Sequence, residues 1–256
     1  MSGDPGRATT VIANWKMHKT VVEATSYITS LALSAQQLRT RAGVAVPFTM
    51  MTAAAQAAKG TAVFIGAQNI SEYADGPYTG EVSAAMVKDA GASFCLIGHS
   101  ERRRLFHETD GIVNLKVRKA LEAGIRPLLC VGETIEERKA GQTKAVLERQ
   151  LIQGLAGITP QEAESLLIAY EPVWAIGNGT AAKPEDAQNE QEWCRSVLAK
   201  LWGDSVAAAV SILYGGSVKP ENAELLIQKP DVDGFLVGGA SLDVEVFMKI
   251  LQCHKG

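Results

Sequence analysis

Short runs of β-branched and apolar residues recur eight times along the chain, and this repetition most strongly constrains its fold. Each run is nearly continuously hydrophobic rather than alternating, as expected for strands buried on both faces of a parallel sheet. The runs are Thr10–Ala13, Val44–Val46, Ala62–Gly66, Ser93–Ile97, Arg126–Val131, Leu166–Tyr170, Val210–Tyr214 and Gly234–Val237. The sequence therefore predicts eight buried strands.

Stretches with a helical spacing of apolar residues separate many of these runs. They are Val21–Leu38, Gly111–Ala123, Thr134–Leu155, Glu185–Leu201 and Asp243–Leu251. Local motifs indicate where helices begin and end. They are two capping boxes (Thr134 with Glu137, Thr159 with Glu162), two prolines in the first turn of a helix (Pro184, Pro220) and a glycine that ends a helix (Gly124).

Eight strand–helix units within 256 residues predict one α/β domain, a closed (β/α)8 barrel. The competing architecture is an open doubly wound sheet, but the number of units in this length favours the barrel. We expect the barrel to span residues 9–256. The polar residues 1–8 have no apolar segment typical of a signal peptide, and we expect them to form a disordered tail.

Composition excludes several classes of function. The net charge is −3, and no basic run exceeds Arg102–Arg104, so nucleic acid is not an expected partner. That triplet suits a solvated helix face or ion pairs. No apolar run is long enough to span a membrane. The four histidines have no metal-ligand spacing, and we expect no metal. The four cysteines form no CxxC pair. Cys95 and Cys130 lie inside apolar runs and suit buried, reduced thiols, which favours the cytoplasm.

Polar residues follow most of the predicted strands. Because the carboxyl ends of barrel strands share one face, where active sites lie, these residues are expected to meet there. They are Asn14 and Lys16, Gln68 and Asn69, His99 to Glu101, Cys130 and Glu133, and Glu171. Each alone has an ordinary structural explanation, such as a surface lysine or a core histidine. Their convergence predicts a catalytic site.

Glycine-rich turns follow the last two strands, at Gly215–Ser217 and Gly238–Ser241. Such turns expose backbone N–H groups to an anion, and loops at these two strands commonly bind phosphate in barrels. A single pair of glycines usually marks only a tight turn. Two pairs at these strands, together with Gly177, indicate a phosphate site. No nucleotide motif is present.

Motifs along almost the whole chain resemble those of the triosephosphate isomerase family. They are ANWKMHK (13–19), GAQN (66–69), YTGEVS (78–83), IGHSERR (97–103), CVGET (130–134), AYEPVWAIG (169–177), YGGSV (214–218) and LVGGASL (236–242). The resemblance implies a TIM barrel that needs no cofactor and interconverts dihydroxyacetone phosphate and glyceraldehyde 3-phosphate through an enediol(ate).

The resemblance also implies a role for each site residue. Glu171 is implied to be the base, with its basicity raised in a dry site, and His99 the neutral electrophile. Lys16 and Asn14 are implied to stabilise negative charge, and Glu101 to organise Lys16. The implied phosphate ligands are the backbone N–H groups of Gly177, Ser217, Gly238 and Gly239.

Two loops depart from the usual family pattern. Asn178 replaces the usual threonine in the loop after Glu171, which the resemblance implies is a closing lid. The segment Asp75–Tyr78 differs in the loop Ile70–Ser83, which in the family inserts into a second subunit and brings Thr79 to the other active site. We expect a homodimer built on this loop, with two surface tyrosines as the alternative.

Two other functions remain open from the residues alone. Lys16 could form a Schiff base, as in class I sugar-phosphate aldolases, although such a lysine usually lies in an apolar strand interior. The barrel could also be a binding module without activity, against which the complete set of polar residues argues.

Overall fold

Eight parallel strands close into a barrel in strand order 1 to 8, with helices between successive strands. The computed structural model describes residues 7–35, 38–176 and 182–254. Strand β1 pairs with both β2 and β8, so the sheet has no edge. The open doubly wound alternative is therefore wrong, and the predicted barrel is confirmed.

The strands lie close to the predicted runs. They are β1 Thr10–Asn14, β2 Arg41–Val46, β3 Val63–Ala67, β4 Phe94–Ile97, β5 Arg126–Val131, β6 Leu167–Tyr170, β7 Ser211–Tyr214 and β8 Gly234–Val237. Nearly all of their residues are buried. This explains why the runs are continuously apolar, since one face meets the barrel interior and the other meets the helices.

The helices are α1 Val21–Ala35, α2 Met51–Ala58, α3 Ala84–Asp89, α4 Ser100–Leu105, α5 Asp110–Glu122, α6 Ile135–Lys139, α7 Thr143–Gly154, α8 Pro160–Ala163, α9 Pro184–Trp202, α10 Asp204–Ala209, α11 Pro220–Ile227 and α12 Val244–Leu251. Both predicted capping boxes form, and both prolines begin helices. The single helix predicted over Thr134–Leu155 is wrong, because Gly141 takes a positive φ of 69° and separates α6 from α7.

The core has two layers. An outer layer lies between the strands and the helices, and a smaller layer fills the barrel interior with side chains such as Ile12, Leu128 and Leu213. Phe94 and Phe64 fill its amino-terminal end in an edge-to-face contact of 5.3 Å. The barrel interior is thus a packed core and not a pore.

The amino-terminal segment begins at Arg7 in the described part of the chain. Its guanidinium donates to Asp233 Oδ1 at 2.7 Å, beside β8. Residues 1–6 of the predicted tail lie outside the described residues, so that boundary stays a prediction. Across residues 7–35, 38–176 and 182–254, no helix is long and apolar enough to cross a membrane.

Candidate active site

A cavity of about 240 Å³ opens at the carboxyl ends of the strands, where the sequence places its polar residues. Its lining includes Asn14, Lys16, His99, Glu171, Ser217, Gly238 and Gly239. These residues come from five different strand ends, which the closed barrel brings to one mouth. Glu101 reaches the same place through its contact with Lys16. Gly177 lies outside the described residues.

Glu171 directly follows β6 and is 1% exposed. Its Oε1 lies 2.9 Å from His99 Nε2, and its Oε2 accepts a hydrogen bond of 2.8 Å from the backbone N–H of Ser100. Burial by itself raises the pKa of the Glu171 carboxyl. The bonds from His99 and Ser100 outweigh burial and hold this pKa below its ordinary value. The raised basicity expected from the sequence is therefore not found in this conformation.

His99 caps the amino terminus of α4 with its side chain. Its Nδ1 accepts the backbone N–H of Glu101 at 3.2 Å, so the proton of a neutral ring sits on Nε2 and faces Glu171. Burial lowers the pKa of His99, but the Glu171 carboxylate beside it more than offsets burial and raises this pKa. The protonation state of the His99 imidazole therefore depends on the position of the Glu171 carboxylate.

Lys16 adopts a positive φ of 52°, which is strained for a residue with a side chain. Two contacts hold it there. Its backbone N–H donates to Asn14 Oδ1 at 3.0 Å, and its carbonyl accepts Gln68 Nε2 at 2.9 Å. The Lys16 ammonium bonds to Glu101 Oε1 at 2.5 Å. This backbone turn directs the side chain into the cavity instead of outward to solvent.

Glycines let the chain pass close to Glu171. A methyl group at Gly215 would lie 2.9 Å from Glu171 Cγ, and one at Gly132 would overlap the carbonyl oxygen of Glu171. Larger residues at either position would displace the carboxylate. Gly215 therefore has a packing role in addition to its place in the predicted phosphate turn.

The segment after Glu171 is held by Glu133, a fully buried carboxylate beyond β5. Trp174 Nε1 donates to Glu133 Oε1 at 2.8 Å, and the hydroxyl of Tyr170 donates to the same oxygen at 3.2 Å. Burial raises the pKa of Glu133. The sequence predicts Glu133 at the rim, but nothing in its spacing indicates the contact with Trp174.

Two residues of the basic triplet Arg102–Arg104 form ion pairs, one of the two expected explanations, and Arg104 is exposed. Arg102 pairs with Glu108, and Arg103 pairs with Asp110. Buried Lys116 also bonds to Glu108 and to Asn69, a residue of the predicted rim. These contacts fix α4 and therefore His99. Asn69 thus supports the site from behind and does not line the cavity.

Comparison with known proteins decides the family. The triosephosphate isomerase family model matches residues 9–254, essentially the whole described barrel. The chain belongs to the triosephosphate isomerase family. The triosephosphate isomerase of Symbiobacterium thermophilum is 50% identical over 245 residues, with 95% of this chain and 96% of that protein covered. That of Protochlamydia amoebophila is 46% identical over 246 residues, covering 96% and 93%.

A solved structure agrees with these relatives. The crystal structure of triosephosphate isomerase from Bartonella henselae superposes with a TM-score of 0.87 at 40% identity. It covers 95% of this chain and 97% of that one. Membership of the triosephosphate isomerase family identifies the chain as an isomerase and confirms the resemblance seen in the sequence.

Proposed function

We propose that the chain interconverts dihydroxyacetone phosphate and glyceraldehyde 3-phosphate, the reaction of its family, with Glu171 as the base. The observation that carries the proposal is a buried carboxylate 2.9 Å from an imidazole nitrogen, in a cavity that also contains an ammonium group. A coupled isomerisation assay in both directions tests it. Turnover with either triose phosphate supports the proposal, and none with either refutes it.

Glu171 has to take a proton from the carbon next to the substrate carbonyl and return it to the neighbouring carbon. In the structure, both of its oxygens are bonded to His99 and Ser100, which keeps the carboxylate ionised. When the Glu171 carboxylate turns from these donors to the substrate, it loses the interactions that lower its pKa. Burial, which raises this pKa, remains. Its basicity then rises at the point of proton transfer.

The negative charge that develops on the substrate oxygens needs donors already in place. His99 Nε2, the Asn14 amide and the Lys16 ammonium line the cavity and supply them. Once Glu171 turns to the substrate, the influence that raises the pKa of His99 weakens. Burial and the Glu101 N–H at Nδ1 then favour a neutral imidazole that donates from Nε2. Glu101 positions Lys16 through their ion pair.

The phosphate is proposed to bind the backbone N–H groups of Ser217, Gly238 and Gly239. These residues line the same cavity as Glu171, and Gly238 lies close to the Lys16 side chain. Exposed N–H groups and a nearby ammonium suit a dianion. Gly177 is proposed as a further donor from the lid.

The proposed lid starts at Pro172, immediately after the base. A short 3₁₀ turn, Val173–Ala175, follows, and Ile176 lines the cavity. The hydrogen bond from Trp174 to Glu133 anchors the first part of the proposed lid to the rim of the barrel. An enediolate phosphate exposed to water would lose its phosphate, which gives a physical reason for closure over the cavity.

Replacing His99 by alanine is expected to move the acid limb of the kcat/KM profile to higher pH. His99 donates to Glu171 and holds the pKa of that carboxyl below its ordinary value. Without His99 the largest influences that lower this pKa are lost, while burial and the smaller influences of Ser100 and Lys16 remain, so the pKa rises and the base is protonated at a higher pH. A pH series of kcat/KM measures the shift, with His254→Ala as the control at an exposed histidine. An acid limb that stays in place would show that Glu171 does not set it.

A homodimer is proposed on the loop Ile70–Ser83, since family members are usually dimers. Tyr73 and Tyr78 stack at 3.9 Å with an angle of 4° between their rings, and they are 44% and 38% exposed. Met86 lines a small cavity with them and is also exposed. Such an apolar surface around a stacked aromatic pair suits burial against a second copy.

The double variant Tyr73→Asp/Tyr78→Asp is expected to be monomeric and less active. Central aromatic side chains commonly contribute about 2 kcal/mol or more to an interface, roughly thirtyfold in Kd for each. Light scattering should report the 27.2 kDa chain instead of twice that mass. Leu225→Asp, at an exposed leucine on α11, is the matched control. A wild type that is itself monomeric would refute the dimer.

The cellular location is proposed to be the cytoplasm. All four cysteines are buried and unpaired, which suits a reducing compartment.

The Schiff-base alternative finds no support at Lys16. A lysine that attacks carbonyls is usually desolvated among apolar groups, whereas the Lys16 ammonium bonds to the Glu101 carboxylate. Borohydride trapping with dihydroxyacetone phosphate separates the two mechanisms. The proposed isomerase gives no adduct on Lys16, and a stable adduct would overturn it.

A further inference from the structure

A second cavity lies at the opposite, amino-terminal end of the barrel. It has a volume of about 530 Å³ and is lined by Arg41, Phe64, Phe94 and Arg126, among others. This volume is within the range of small-molecule sites in proteins. The catalytic residues occupy the other end of the strands, so this cavity has no part in the isomerisation.

Phenylalanine rings form the floor of this cavity. Phe64 and Phe94 lie inside the barrel over Gly43 and Gly66, where any larger side chain would collide with the rings. Phe94 is 1% exposed, so the floor is a fixed part of the core. An apolar floor below charged groups is the arrangement of a site that takes an amphipathic ligand.

Two arginines stand over this floor. Arg41 is the first residue of β2, and Arg126 is the first residue of β5. The Arg41 guanidinium lies 5.7 Å from the centre of the Phe64 ring. Burial and the nearby charge of Arg41 lower the pKa of Arg126. Arg41 is exposed and Arg126 is half-buried, so two like charges line one cavity, and an anion between them would be stabilised by both.

No carboxylate neutralises this pair within residues 7–35, 38–176 and 182–254. The ion pairs of the described chain include neither Arg41 nor Arg126, although other arginines such as Arg7 and Arg195 are paired with aspartates. Lys88 adds a third cation at the rim, where it donates to the carbonyl of Gly124, another lining residue. The cavity therefore has an uncompensated positive charge.

We propose that Arg41 and Arg126 bind a phosphate group in this cavity, as inorganic phosphate or as a phosphate monoester whose apolar part lies on Phe64. A guanidinium presents a planar fork of donors that matches phosphate oxygens, and two forks suit a doubly charged anion. The anion relieves the repulsion between the arginines. The phenyl rings select esters with an apolar group over phosphate alone.

Side-chain NMR tests the proposal at the site itself. The Nε–H resonances of Arg41 and Arg126, assigned from their loss in Arg41→Lys and Arg126→Lys, are followed during titration with phosphate and with phenyl phosphate. Both resonances are expected to shift and saturate together, with the tighter affinity for phenyl phosphate. Arg41→Gln is expected to weaken the response of Arg126 about tenfold or more, because a charge-assisted hydrogen bond is lost.

The controls distinguish phosphate binding at this cavity from a general effect of ionic strength. Sodium chloride at matched ionic strength should give no saturable shift, and Lys139→Gln/Lys249→Gln, which removes two exposed charges elsewhere, should leave the affinity unchanged. Isomerase activity of Arg41→Gln verifies that the variant is folded. The proposal is overturned if phosphate gives no saturation, if chloride reproduces the shifts, or if Arg41→Gln leaves the response of Arg126 unchanged.

Discussion

Glu171→Gln is expected to lower kcat by about two to four orders of magnitude, with little change in KM. The amide has nearly the same shape and can still accept the N–H of Ser100, so the fold and the cavity should persist. The glutamine amide cannot take a proton from the substrate carbon. Steady-state kinetics in both directions measure the loss.

Two further variants test whether the loss of activity is specific to the position and charge of the Glu171 carboxylate. Glu171→Asp keeps the charge but withdraws the carboxylate by one methylene, and a misplacement of this size costs about 100-fold in rate. Glu185→Gln removes an exposed carboxylate that pairs with Lys229 and should have no effect. Unchanged turnover in both Glu171 variants would mean that another group takes the proton.

Lys16→Met is expected to lower kcat/KM by about two to three orders of magnitude, the usual cost of one lost donor to a developing oxyanion. KM should also rise, because the Lys16 ammonium lies near Gly238 in the proposed phosphate site. Methionine keeps an unbranched apolar side chain of similar length, so the packing around it is preserved. The measurement is steady-state kinetics with each triose phosphate.

The exposure of the ion-pair partner Glu101 and a control variant allow the result for Lys16→Met to be interpreted. Glu101, which loses its ion pair, is 36% exposed at its side chain and stays solvated. Lys139→Met removes an exposed lysine on α6 and should leave kcat/KM unchanged. Turnover of Lys16→Met equal to that of the wild type would exclude the ammonium from the reaction.

The barrel could be predicted from the sequence because burial on both faces of each strand leaves an unmistakable run of apolar residues. For strand β5, the sequence predicts the bounds Arg126–Val131, and the structure has the same bounds. Helices were harder. The short α2 at Met51–Ala58 has only 8 residues, about two turns, so the spacing of its apolar residues has little room to repeat.

The site residues could be found because each directly follows a strand, but their contacts could not. The positive φ of Lys16 has no sequence signal, since lysine rarely adopts it, and Gln68 supports it from a different strand. The bonds of Glu171 to His99 and Ser100 also depend on the barrel geometry. They reverse the expected direction of its pKa shift in this conformation.

The central claim is that one carboxylate moves a proton between adjacent carbons through an enediol(ate), and isomerisation in D₂O tests it most directly. The substrate is dihydroxyacetone phosphate, and the product is trapped and examined by NMR. If the carboxylate exchanges its proton with solvent, the wild type should form glyceraldehyde 3-phosphate with deuterium at the carbon next to the carbonyl. This incorporation should be suppressed in Glu171→Gln. Deuterium incorporated equally fast by Glu171→Gln would contradict the account.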